Sequence, residues 1–187
     1  MTIDRDEIVR LTEEYGGAWG LEHTRRLLRL VEVIGQGCEY DADVLWVAAH
    51  LHDWGGYAPW VQPGVDHAQR SGEVAAEFLA ARGVPADFTA HVLECITHHH
   101  SPDPGRSLEA ILLCDADALD FLGVVGSVRD FSKNARDLRA GYEATRKRRA
   151  ALPGKLILPA AQALAAERLP TMDALLAAFE QETFGCF

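Results

Sequence analysis

The sequence predicts an all-α fold organised as a single domain over residues 1–187. Three observations carry this. Nearly every segment has apolar residues recurring at three- and four-residue steps, and no stretch shows the strict alternation of a half-buried strand. The breaks between periodic segments are rich in Gly and Pro. A chain of 187 residues can bury a sizeable core without disulfides or a structural metal.

Taken in order, residues 3–15 predict a first helix and residues 21–34 a second. In the second, His23, Leu27, Leu30, Val31 and Ile34 share one face, and Gly35–Gln36–Gly37 stops it. Asp41 or Asp43 caps a third helix to about Asp53, with Val44, Leu45, Ala48, Ala49 and His52 inward. The Gly- and Pro-punctuated stretch from Gly55 to Gly64 is a loop. Asp66 then caps a helix to about Arg82, closed by Gly83, and another helix runs from Pro85 to about His99. Ser101–Pro102–Asp103–Pro104–Gly105 makes a second loop. Helices follow over about 107–129, 132–150, 158–168 and 171–184, with breaks at Pro153–Gly154 and Leu169–Pro170.

Composition excludes several functions. The net charge of −10 disfavours long nucleic acid and anionic membrane surfaces, and no run approaches 18 apolar residues. Asp4, Arg5, Asp6, Glu7 and Arg10 leave no signal-peptide apolar region at the start. The four cysteines, Cys38, Cys95, Cys114 and Cys186, lie far apart, which predicts reduced thiols and a cytoplasmic protein. No G-K-[ST] follows the glycine pairs, and neither G-x-S-x-G nor H-E-x-x-H occurs.

The informative residues are histidines and acids in apolar helices. His23 lies on an apolar stripe, His52–Asp53 closes the apolar run Ala48–Ala49–His50–Leu51, and Asp115, Asp117 and Asp120 interrupt Ile111–Phe121. A lone histidine on such a face is more often a hydrogen-bonded core residue than a ligand, and Asp115 could equally pair with an arginine. The joint pattern shifts the reading. A buried carboxylate needs a partner, and a divalent cation satisfies imidazole nitrogens and carboxylate oxygens together.

His23, His52–Asp53 and Asp117, in that order, resemble the H…HD…D signature of the HD-domain metal-dependent phosphohydrolases. The run from Asp115 to Arg129 resembles a branch of small stand-alone bacterial members. The resemblance covers about residues 20–130, the motif-bearing core, and extends more weakly over the helices of about 132–184. It implies a helical HD fold with the metal site between packed helices. His23, His52, Asp53 and Asp117 would hold one divalent cation, whether Mn, Mg, Fe, Zn, Ni or Co. The family pattern favours Asp117 over Asp115, and a shift of two residues turns a helical side chain by roughly 200°, so both do not readily face one ion. Other HD proteins hold two metals by adding two histidines. Here His67 and His99, from the run His98–His99–His100, would take the second ion, with Asp53 bridging. Alternatively, His67 and the triplet bind substrate phosphate.

The implied activity is hydrolysis of a phosphoester or phosphoanhydride bond in a small molecule, a nucleotide being the expected class. Some HD hydrolases place a Glu shortly after the doublet. Here Trp54–Gly55–Gly56–Tyr57 carries no acid, so proton transfer falls to His67, Asp120 or a histidine of the triplet. Residues 129–149 hold eight basic residues against three acids. A helix presenting Arg129, Lys133 and Arg136 at steps of four and three would reach substrate phosphates; the alternative is an ordinary solvated face. Tyr57 and Trp60 are candidates for the wall of a substrate mouth. Two other readings stay open: a di-iron oxygenase on the same scaffold, and a metal-stabilised binding module without turnover. The sequence is compatible with a homo-oligomer and does not fix its oligomeric state.

Overall fold

The computed structural model describes residues 3–101 and 103–187; Pro102, within the loop expected at 101–105, lies outside them, as do Met1 and Thr2 of the amino-terminal segment. Among the described residues there are eight α-helices and two short 3-10 turns, and no strand. The chain divides into two compact units, Met1–Cys114 and Asp115–Phe187.

In the first unit, α1 (Arg5–Ile34) joins the two helices expected at 3–15 and 21–34. They abut at Gly17, whose φ of 64° and ψ of −174° interrupt the helical backbone. Only glycine enters that region without strain. Asp4 caps the start by accepting from the amide of Glu7 at 3.0 Å. Helix α2 (Ala42–Leu51) is capped by Asp41, which accepts from Asp43 and Val44. The expected loop then opens on a 3-10 turn, Trp54–Gly56. Asp66 caps α3 (His67–Ala80), and α4 (Ala86–Thr97) follows. Helix α1 packs on α2, α2 on α4, and α3 on both α4 and the 3-10 turn. Ile8, Leu27, Leu45, Leu51, Trp54, Leu79 and Ile96 are fully buried in this core.

Helix α5 (Leu108–Asp120) carries the boundary between the units, and every residue from Glu109 to Asp120 is buried. The helix expected over 107–129 breaks after Asp120. Gly123 adopts φ 90°, and a Cβ on Gly126 would stand 2.1 Å from the carbonyl oxygen of Phe121, so the chain doubles back where only glycines fit.

In the second unit, α6 (Val124–Lys133) packs on α7 (Leu138–Ala151) and α8 (Pro159–Glu182), and α7 packs on α8. The start expected at 132 lies at Leu138, because α6 ends at Lys133 and Asp137 caps the next helix through the amide of Ala140. The break expected at Pro170 is absent: α8 continues through it. Proline's fixed φ is itself helical, so one hydrogen bond is lost, and the buried residues Ala161, Ala165, Met172 and Leu176 lie on both sides of it. No helix among the described residues is long and apolar enough to cross a membrane.

Candidate metal centre

The kink at Gly17 lies upstream of His23, which is buried on α1. His52 caps α2, and its Nδ1 lies 2.8 Å from the carbonyl oxygen of Ala49. A carbonyl only accepts, so Nδ1 carries the proton and Nε2 keeps its lone pair. The same device recurs at His99, whose Nδ1 donates to the carbonyl of Ile96 at 2.5 Å. Both rings are thereby fixed in orientation, with Nε2 as the candidate ligand atom, an arrangement that metal-binding histidines share. Nε2 of His52 is buried and makes no hydrogen bond.

Asp53 sits between these groups. Its Oδ2 lies 3.4 Å from His52 Nε2 and 3.8 Å from His23 Nε2, while its Oδ1 lies 3.7 Å from Nε2 of His67, the first residue of α3. Beyond His67, the His100 Nε2 is 2.9 Å from His67 Nε2, and the rings of His99 and His100 are 3.9 Å apart. Two sets of three ligand atoms result: His23, His52 and Asp53, and His67, His99 and His100. Within each, the atoms lie within 4.8 Å of one another. Lone-pair imidazole nitrogens beside a carboxylate fit a divalent first-row cation. Both sets could hold such an ion.

Of the triplet, His98 turns away, with Nδ1 bonded to the carbonyl of Glu94, whereas His99 is buried and His100 stands beside His67. His100 was not distinguishable within three identical neighbours; only the end of α4 at Thr97 decides which of them turns inward. The cluster rests on a rigid frame that sequence reasoning did not single out. Trp54 Nε1 donates to Thr12 Oγ1 at 3.1 Å, and Thr12 donates to the carbonyl of His50. His50, next to the doublet, is pushed down to about 4 by burial. Tyr57 lies against α1, where Cβ atoms on Gly16 or Gly20 would stand 2.6 and 2.5 Å from it, and Trp60 meets Tyr15 edge-on.

Asp115, Asp117 and Asp120 of α5 fall in the second unit, where they have different surroundings. Asp115 accepts from the amides of Ile157 and Leu158 at 2.7–3.1 Å, holding the start of α8. Asp117 is buried one helical turn before the end of α5. Asp120 is paired with the guanidinium of Arg129, and both side chains are buried. Arg129 also lies over the ring of Phe121, as does Arg148, which pairs with Asp130 at 2.9 Å. The expected helical row of Arg129, Lys133 and Arg136 is not formed. Arg129 points into the unit, Lys133 is exposed at the end of α6, and Arg136 lies in the turn beyond it.

The family model described as HD domain matches residues 20–122. No curated protein matches the chain. Among solved structures, a predicted HD superfamily hydrolase from an uncultured Thermotogales bacterium is 26% identical, with a TM-score of 0.67 over 95% of this chain and 92% of that one. The Bacillus subtilis protein YpgQ, solved in complex with ADP, is 23% identical with a TM-score of 0.71 over 95% and 96% of the two chains. An HD-superfamily hydrolase from Bacillus thuringiensis is 19% identical with a TM-score of 0.70 over 95% of each. At their identities the two Bacillus structures show a shared fold, the all-helical one expected from the sequence.

Proposed function

The chain belongs to the HD-domain family, and on that premise we propose that it is a metal-dependent phosphohydrolase acting on a small phosphorylated molecule, with a nucleotide as the substrate class. The observation that carries this reading is the Asp53 carboxylate, with one oxygen toward His23 and His52 and the other toward His67. His23, His52, Asp53 and Asp117 would hold one cation. Asp117 is preferred to Asp115 because the Asp115 oxygens are engaged by the amides that open α8. His67 and His99, with His100 beside them, would hold a second, Asp53 serving both. When bound, such a cation makes water acidic near neutral pH and offsets charge growing on phosphoryl oxygens.

The chain's own groups supply the rest. His52 and His99 would present Nε2 to the centre through their backbone-bound Nδ1 atoms, which fix each ring before an ion arrives. Asp120 is committed to Arg129, which leaves proton transfer between the centre and solvent to His67 or a histidine of the triplet. Lys133 and Arg136 are exposed and are proposed to meet phosphate oxygens, whereas Arg129 serves Asp120. The ADP bound to YpgQ supports a nucleotide, and the net charge of −10 argues against a long polyanion.

The test is metal analysis of the purified protein with a phosphate-release screen over nucleotides. If His52→Ala or Asp117→Ala keeps both metal and turnover, the proposal fails. The two ligand sets would also suit a di-iron oxygenase; iron content with oxygen uptake, in place of phosphate release, would identify that chemistry instead.

A further inference from the structure

Two adjacent residues of α3, one turn beyond His67, touch both neighbours of the cluster. Ser71 is fully buried, and its Oγ accepts the amide of Gly55 at 2.9 Å. The approach there is backbone on backbone: a Cβ on Gly55 would stand 2.2 Å from the amide nitrogen of Ser71 and 2.5 Å from the carbonyl carbon of Arg70. Gly55 is two residues after Asp53, so this contact ties the doublet's turn to the helix that begins with His67. On the other side, Gly72 receives Thr97, the last residue of α4, with a would-be Cβ 2.6 Å from Thr97 Cγ2. Two residues after Thr97 comes His99.

We propose that Ser71 and Gly72 are positioning residues of the metal centre, a spacer that sets how far Asp53 on one side and His99 and His100 on the other stand from His67. The inference rests on the metal reading above. Ser71 lies four residues after His67 and therefore under it on the same face of α3. A rigid seat there converts the helix into a gauge. It keeps Asp53 Oδ1 and His67 Nε2 3.7 Å apart, wide enough for an ion and too wide for a hydrogen bond that would close the site. Replacing Ser71 by Ala leaves the buried Gly55 amide without its acceptor, and the turn must shift to recover one. Replacing Gly72 by Ala forces the end of α4 outward, and with it the loop that carries His99 and His100.

The probe is Mn2+, titrated calorimetrically into the full chain, with thermal melting recorded on each variant. Ser71→Ala and Gly72→Ala should each weaken Mn2+ binding about tenfold, the lower range seen when residues supporting metal ligands are lost. Ser71→Thr keeps the hydroxyl, and Gly72→Ala combined with Thr97→Ser removes the opposing methyl; both should bind within about threefold of the parent. If Ser71→Ala and Gly72→Ala melt earlier yet bind Mn2+ as the parent does, the pair is packing only and the spacer role is overturned. If the parent itself binds no Mn2+, the metal reading falls first and this inference with it.

Discussion

Buried and half-buried acids are handled in two ways in this molecule. In the unit from Asp115 onward, Asp115, Asp120 and Asp130 are each closed by a partner of fixed shape. Asp115 takes two backbone amides at 2.7–3.1 Å, Asp120 takes Arg129, and Asp130 takes Arg148 at 2.9 Å. In the unit before it, Asp53 is ringed by three imidazole nitrogens at 3.4, 3.7 and 3.8 Å. Donors around one cation with bonds of about 2.1 Å at tetrahedral angles stand roughly 3.4 Å apart, so the wider spacing is compatible with the proposed metal centre. The shorter contacts are those of hydrogen bonds that hold helices in place. Acids in apolar helices therefore do not share one meaning. The partner type and the distance separate structural pairs from the proposed centre.

Substitutions on the two sides should fail in different ways. The largest effect is expected at the Arg129–Asp120 pair. Arg129→Met leaves a buried carboxylate without its cation and should lower unfolding free energy by about 3–5 kcal/mol in urea titration. A loss near zero would mean that the pair is not the closed structural contact described. Next, His52→Ala should reduce Mn2+ affinity and phosphate release by at least ~100-fold, exceeding what loss of a supporting residue alone does. Calorimetry and a phosphate assay read both; unchanged binding would erase the contrast between the units.

How much of this was legible in the sequence depended on the kind of force involved. Helix stripes and the caps at Asp41 and Asp66 were, because a cap acts within four residues of itself and apolar spacing is local. The doublet and the distant His23 were, because polar groups in apolar helices need partners. The turn at Phe121–Gly123 was not. It depends on a backbone contact between Gly126 and Phe121 that only the folded chain reveals. The continuity of α8 through Pro170 depends on buried residues on both flanks, which outweigh a local helix-breaking signal. At the centre, the choice of His100 over His98, and the contact of Ser71 with Gly55, arise from how α3 and α4 approach. Neither residue type advertises that at its own position.

Smaller effects sharpen the same contrast. Asp115→Asn keeps the shape at the start of α8 but weakens charge-assisted acceptance from two amides; a loss of about 1 kcal/mol is expected in the same urea titration. The weakest perturbation is chemical labelling at pH 8. Burial pushes the Cys95 thiol up to about 12, and Cys114 is also buried, so a thiol reagent should titrate Cys38 and Cys186 alone in the native protein. All four should react after denaturation. Rapid native labelling of Cys95 would show that the first unit's core is more open than described.

The measurement that bears most directly on the account is the metal content of the purified chain and of Asp53→Ala, each equilibrated with Mn2+, freed of excess and quantified by inductively coupled plasma mass spectrometry. If Asp53 is the carboxylate on which both histidine groups converge, the parent retains at least one divalent ion per chain and Asp53→Ala retains almost none, with its helical content preserved. Equal metal in the two proteins, or none in either, would contradict the claim that this cluster is a metal centre.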